Sequence, residues 1–255
     1  MKKGFYIILY ILFLTISSCG SVTDFEENLD INSSDIEVDT TFINPNNGGV
    51  NNNGVFKILS LGDSYTIGES VCETCKFPVQ LVDTLLTITQ NKSSFPLKII
   101  AKTGWTTTNL ISAIDAENIN SDYNLVTLLI GVNNQYQRKP FSTYETEFPK
   151  LLEIATKAAN NNIENLIVIS IPDYAFTPFG RANTTISSEI DTYNNFAQAY
   201  CISRGITFIN ITDITRQGLV NPALVANDGL HPSKLAYKKF VERITPVVLQ
   251  KLNLN

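Results

Sequence analysis

The sequence holds a single histidine, His231, in the run Asp228-Gly229-Leu230-His231-Pro232-Ser233. Far upstream, Leu59-Ser60-Leu61-Gly62-Asp63-Ser64-Tyr65 places a serine just after an apolar run. A general base working near neutral pH is usually a histidine. A serine hydrolase built on this chain therefore has only His231 to draw on. Asp228 stands three residues before it, near enough to orient the ring. Ser64 is the natural nucleophile, because a serine hydroxyl attacks well only when a base takes its proton. The chemistry offered is acyl transfer, and it requires a fold that brings residues 64, 228 and 231 together.

The elements that must do so are legible as periodic segments. Val55–Leu61, Leu97–Ala101, Leu125–Ile130, Leu166–Ile171 and Ile206–Asn210 read as strands. Phe77–Ile88, Thr106–Ile119, Tyr144–Ala159, Ile186–Ser203 and Lys234–Leu249 read as helices, with Pro246 expected to interrupt or bend the last one. Strands alternating with helices at these spacings give βαβ units and a three-layer α/β domain. Ligand sites in such sheets lie beyond the carboxyl ends of the strands. Ser64 falls just past the first strand, Gly104 past the second and Asn133 past the third, while Asp228 and His231 precede the last helix. Serine or glycine after a strand is by itself an ordinary cap or turn. Four separate segments converging on one sheet edge say more.

These blocks, Gly62-Asp63-Ser64-Tyr65, Gly104, Gly131-Val132-Asn133-Asn134 and Asp228-Gly229-Leu230-His231-Pro232, resemble those of the SGNH hydrolases, the GDSL-type esterases and lipases. The resemblance implies a flavodoxin-like α/β/α sandwich around a five-stranded parallel sheet. It implies Ser64 as nucleophile, His231 as base and Asp228 as its orienting carboxylate. It also implies an oxyanion hole made of the Ser64 and Gly104 backbone N–H groups and the Asn133 side-chain amide. That set is chemically coherent. A tetrahedral intermediate needs donors aimed at its developing charge, glycine lets backbone approach closely, and asparagine donates without adding charge.

The chain departs from the family pattern in two places. Tyr65 stands where leucine is common and would alter the pocket wall. Asn134 stands where aspartate is common, which removes a charge of structural rather than catalytic use. Asp63 either faces the site or, as we favour, is buried and holds the turn after the first strand. Trp105 either lines the acyl or alcohol pocket or packs in the core. Asn134, Gln135 and Tyr136 are candidate substrate contacts, Gln135 and Tyr136 being equally suited to capping the next segment. Tyr174 and the Thr177-Pro178-Phe179-Gly180 loop follow the fourth strand and so also belong to the active edge.

The N-terminus carries Lys2-Lys3, an apolar stretch from Phe5 to Ile16, then Ser17-Ser18-Cys19-Gly20. This resembles a bacterial lipoprotein signal, too short in its apolar part for an ordinary span. The resemblance implies a signal over residues 1–18, a lipidated Cys19 and, since Ser21 is not aspartate, attachment at the outer membrane of the cell envelope. Residues 19–54 read as an acidic, Asn/Gly-rich tether with too little apolar area to repay ordering, and residues 55–255 as the hydrolase domain. In Cys72-Glu73-Thr74-Cys75 the spacing suits a local disulfide in an oxidising compartment or two thiols packed in a turn. A thioredoxin-like role is disfavoured by the context. Cys201 reads as a core residue.

The formal charge of −5 and the lack of a basic cluster argue against nucleic-acid binding. The proposed chemistry needs no metal and no organic cofactor. The expected activity is hydrolysis of carboxylic esters through an acyl-enzyme. One substrate class is a short acyl group such as acetyl, including on a carbohydrate. The other is a lipid or simple alkyl ester, as for a lipase or lysophospholipase. The absence of a long apolar lid segment favours small acyl esters. A non-catalytic envelope binding module on the same fold would have lost the nucleophile or the base, and both are present. A flavodoxin-type cofactor module is disfavoured because the first loop is not rich in phosphate-cradling groups.

Overall fold

Strands covered on both faces read as nearly continuous apolar runs, and strands at a sheet edge do not. In a computed structural model of the protein, which describes residues 54–254, that rule sorts the sheet. Strands β1 (Ile58–Gly62), β3 (Leu125–Leu129) and β4 (Leu166–Ile169) are buried at every position, whereas β2 (Leu97–Ala101) and β5 (Thr207–Ile209) are partly exposed. The five strands are parallel in the order β2-β1-β3-β4-β5. The described residues all fall within the unit Asn47–Asn255. The expected signal segment, Cys19 and the expected tether as far as residue 53 lie outside the described residues.

Between the strands run α1 (Ser64–Ile67), α2 (Phe77–Ile88), α3 (Thr107–Glu117), α4 (Val132–Tyr136), α5 (Phe141–Ala158), α6 (Thr184–Ser203), α7 (Thr212–Thr215) and α8 (Lys234–Lys251). The chain moves outward from β1 to β2, then reverses through β3, β4 and β5. Parallel crossovers are right-handed, so the reversal puts the later crossover helices on the opposite face from α2. The helix contacts follow: α2 packs along α8, while α5 lies between α3 and α6. The result is the three-layer α/β/α sandwich expected from the sequence. The reversal also creates a switch point between β1 and β3, the usual place for a ligand crevice in an open α/β sheet.

Several bounds differ from the sequence reading, α5 starting at Phe141 and β4 ending at Ile169, and the short helices α1, α4 and α7 lie where none was expected. Val55 is mostly exposed and makes only an isolated bridge with Ser94, so β1 starts at Ile58. Pro246 does not interrupt α8, which continues to Lys251. Pro246 and Glu242, whose carbonyl it leaves unbonded, lie on the exposed side of the helix where water can solvate that group, while Val241, Ile244 and Val248 on the other side are buried in the core. Among the described residues no helix is long and apolar enough to cross a membrane.

Candidate active site

The turn after β1 is set by two residues. An added Cβ at Gly62 would come within 2.4 Å of the Leu129 carbonyl oxygen and 2.1 Å of Thr66 Oγ1, so only glycine fits between β1 and its neighbour. Asp63 is fully buried and accepts the Tyr65 N–H at 3.0 Å, an N-cap bond that starts α1. Ser64 is then the first residue of that helix, almost buried. Burial pushes the Asp63 carboxyl up to about 7, against the bonds it accepts from Tyr65 and from Asn133. Asp63 thus holds the turn, as favoured from the sequence.

Asn133 and Asn134 are adjacent in α4, so their side chains leave the helix about 100° apart. Asn133 sits at the carboxyl end of β3 and donates its amide to Asp63 Oδ2 at 3.4 Å. Asn134 turns the other way and is fully buried. Its Oδ1 accepts the Thr107 N–H at 3.0 Å and its Nδ2 donates to Thr107 Oγ1 at 2.7 Å. The expectation that Asn134 contacts substrate is therefore not met: its donors and acceptor join α4 to the start of α3.

Gly104 follows β2 at φ +83°, a conformation that side chains with a Cβ rarely adopt. A Cβ there would meet nothing within 4 Å. The backbone conformation, rather than crowding, accounts for the glycine. Its carbonyl accepts the Gln137 side-chain amide at 2.7 Å, which pins the loop against α4.

His231 lies in a tight loop. Its Nδ1 is 2.6 Å from Asp228 Oδ2, while Asp228 Oδ1 accepts the Leu230 and His231 N–H groups at 2.9 and 3.0 Å. Ser70 donates to Oδ2 at 2.7 Å. A carboxylate can only accept from the imidazole, which assigns the shared proton to Nδ1 and leaves the Nε2 lone pair free. Burial alone would raise the Asp228 carboxyl, but the bonds from His231, Ser70 and the two backbone N–H groups outweigh it and hold the group well below the usual carboxylate range. The loop is anchored on the sheet side by the Phe179 N–H donating to the Gly229 carbonyl at 3.0 Å.

Ser64, Gly104, Asn133 and His231 line one cavity of about 190 Å³, walled also by Tyr65, Thr103, Val132, Tyr136, Tyr174, Phe179 and Leu230. Tyr65 packs on the histidine, with ring centroids 5.3 Å apart. A second cavity of about 680 Å³ adjoins it. Gln135, Arg138, Lys139, Asn183, Glu189 and Thr192 are among its polar walls, and Tyr136, Tyr174 and Phe179 are shared with the smaller cavity. The three shared rings stand 6.1 to 6.2 Å apart. Gln135 links the Tyr174 hydroxyl, at 2.7 Å, to Glu189, at 2.6 Å. The expected contacts Tyr65, Gln135, Tyr136 and Tyr174 thus border one cavity or both. Trp105 borders neither; it is half-buried against the hydrophobic core.

The family model described as the GDSL-like lipase/acylhydrolase family matches residues 60–239. The chain belongs to this family. It is a carboxylic ester hydrolase of the serine type. No curated protein sequence matches it significantly. Among solved structures, the hydrolase is similar to the acetylxylan esterase Axe2 of Geobacillus stearothermophilus, at 16 % identity and TM-score 0.59, over 77 % of this chain and 94 % of that one. It is also similar to the psychrotrophic esterase EstA of Pseudoalteromonas sp., at 19 % identity and TM-score 0.56, over 77 % and 98 % of the two chains. A GDSL-like lipase of Bacteroides thetaiotaomicron matches at 18 % identity and TM-score 0.55, over 76 % and 88 %. At these identities the likeness is one of fold.

Sequence reasoning missed Thr103, Val132 and Leu230, although each is next to a residue it had singled out. It also missed Ser70, Arg138, Lys139 and Glu189. Nothing in the spacing of these four marks them, because they reach the site through tertiary contacts. Cys72 and Cys75 are joined by a disulfide just beyond Ser70, and Cys201 is a buried free thiol. Among the described residues no cluster of three or more His, Cys, Asp or Glu could hold a metal ion.

Proposed function

We propose that the enzyme removes short acyl groups from polar, hydroxyl-rich alcohols, with carbohydrate esters as the favoured class. Ser64 Oγ bonds to the ester carbonyl carbon as its proton passes to His231 Nε2. The carbonyl π pair moves onto oxygen, which accepts from the Ser64 and Gly104 N–H groups and the Asn133 amide. Donors fixed in advance suit this charge without reorganisation. Collapse of the tetrahedral species breaks the bond to the alcohol oxygen, which takes the proton from Nε2. Water then attacks the acyl-enzyme by the same route, releasing the acid and restoring the serine hydroxyl. Asp228 keeps the ring oriented and stabilises the transient imidazolium.

The observation that carries the substrate class is the pair of unequal cavities. The smaller holds Ser64 and His231 between mostly apolar walls and, at about 190 Å³, lies below the ~300–1,000 Å³ of sites that enclose drug-sized ligands. It fits the reacting carbonyl with a short acyl group. The larger combines aromatic faces with amide, hydroxyl and charged groups, walls suited to both the C–H faces and the hydroxyls of a sugar. The likeness to an acetylxylan esterase points the same way. The test is a panel of esters from acetyl to long acyl, on both simple alcohols and sugars. Falling kcat/KM beyond butanoyl and a gain for acetylated sugars are expected. A preference for long acyl chains or phospholipid would replace this reading with a lipase-like one.

We further propose that residues 1–18 are a lipoprotein signal and that Cys19 carries the lipid, with residues 19–54 as a tether. The support is the Ser17-Ser18-Cys19-Gly20 run after a short apolar segment. The enzyme would then act at the cell envelope, on the outer membrane.

A further inference from the structure

We propose that Ser70 is a positioning residue for the Asp228–His231 pair, an inference that rests on His231 being the base. Ser70 lies 158 residues from Asp228 in the chain, and its hydroxyl donates to Oδ2 at 2.7 Å. That is the same oxygen that takes His231 Nδ1 at 2.6 Å. The other carboxylate oxygen is held by N–H groups of the histidine loop itself, from Leu230 and His231. Ser70 is thus the donor that ties the carboxylate to the rest of the domain, on the nucleophile's side of the site.

The backbone bears this out. Ser70 sits at φ +64°, a left-handed conformation that residues with a Cβ rarely adopt. A serine is kept in that region only when its surroundings over-determine it. Here they do so from both sides. The Gly68 and Glu69 N–H groups donate to the Ser64 carbonyl at 3.1 and 3.0 Å, which fixes the segment to the nucleophile's helix. The Glu69 carboxylate accepts the Thr103 hydroxyl, beside Gly104. On the far side, the Cys72–Cys75 disulfide and the Cys75 N–H bond to the Cys72 carbonyl at 2.8 Å close the next turn. Buried Lys76 pairs with Glu73 at 2.5 Å across that same turn, and Gln80 donates to the Cys75 carbonyl. One nine-residue stretch, 68–76, therefore touches the Ser64 helix, the Gly104 loop and Asp228. Its hydroxyl-bearing residue lands on the oxygen that orients the base.

The role follows from the chemistry of a shared acceptor. With Ser70 donating, Oδ2 has a fixed direction and divides its charge between two donors. Without it, the carboxylate is held only from within the histidine loop, by the Leu230 and His231 N–H groups and by Nδ1, and the ring is less firmly placed relative to the nucleophile's turn. That loss of placement lowers turnover.

The decisive variant is Ser70→Gly, because glycine takes φ +64° without strain and the fold is retained. We expect kcat to fall about tenfold, the loss of one hydrogen bond to a charged group. KM and Tm should be nearly unchanged. In an Asp228→Asn background the same change should cost less than twofold, because the two residues act through one contact. A folded Ser70→Gly enzyme with wild-type kcat, alongside an Asp228→Asn enzyme that is badly impaired, would overturn the role of Ser70 alone. An Asp228→Asn enzyme of wild-type activity would overturn the assignment of the pair as well.

Discussion

The amide of Asn133 donates to the carboxylate of Asp63 at 3.4 Å, joining the loop after β3 to the turn after β1 across the switch point of the sheet. One member of the pair is fully buried, and the other borders the cavity that holds Ser64. The contact keeps the Asn133 side chain beside the turn that carries Ser64.

Replacing Asn133 by alanine should therefore affect rate more than stability. Losing one oxyanion donor costs about 3 kcal/mol in the transition state, a fall in kcat of roughly 100-fold or more. Thermal melting should shift by only a few degrees. Equal kcat in variant and wild type, on a substrate limited by chemistry, would remove Asn133 from the oxyanion hole.

Asp63 makes stability depend on pH with a definite sign. Its carboxyl rises from 3.8 to about 7 on folding, so between those values the folded state binds the proton that the unfolded state has lost. Its contribution to stability is complete below about 4 and is lost as pH rises through 7. A shift of that size corresponds to roughly 4 kcal/mol at most. Denaturant unfolding of the wild type should show stability falling between about pH 4 and 7, and Asp63→Asn should flatten that slope. Asp228 acts in the opposite sense, its contribution being lost only as pH falls below the ordinary carboxylate range. Parallel pH curves for the two proteins would rule out Asp63 as the titrating group.

Ser64 should carry the covalent intermediate. Intact-mass analysis after treatment with a serine-reactive phosphonate should show one adduct, absent from Ser64→Ala. Labelling that persists in the variant would place the nucleophile elsewhere.

Tyr136 stands between the two cavities and is half-exposed, so truncating it leaves the core intact. Tyr136→Ala should open the smaller cavity into the larger. The ratio of kcat/KM for octanoyl over acetyl esters should then rise several-fold. An unchanged ratio would mean that this ring does not limit acyl length.

Cys19 lies outside the described residues, and its role is tested in the cell. Cys19→Ser should abolish metabolic fatty-acid labelling and lipoprotein processing. Labelling equal to wild type would exclude lipidation at this position.

What the sequence determined by itself are the elements and the chemical inventory. A strand covered on both faces must be apolar throughout, so Leu125–Leu129 stands out without knowledge of its neighbours. The bounds of Phe77–Ile88 and Leu97–Ala101 were legible for the same local reason, that a helix with one buried side and a short apolar strand each impose their own period. A single histidine left no choice of imidazole. The tertiary structure alone decided where side chains point and which distant segments meet. Asn133 and Asn134 are equivalent as letters, and only the phase of α4 against β1 and α3 sends one to the cavity and the other to Thr107. Trp105 follows a site glycine yet turns to the core. Ser70 reaches Asp228 across 158 residues because α8 packs along α2, which sets the stretch before α2 beside the loop before α8. No spacing in the chain encodes that meeting, since it arises from the packing of elements rather than from the period of any one of them.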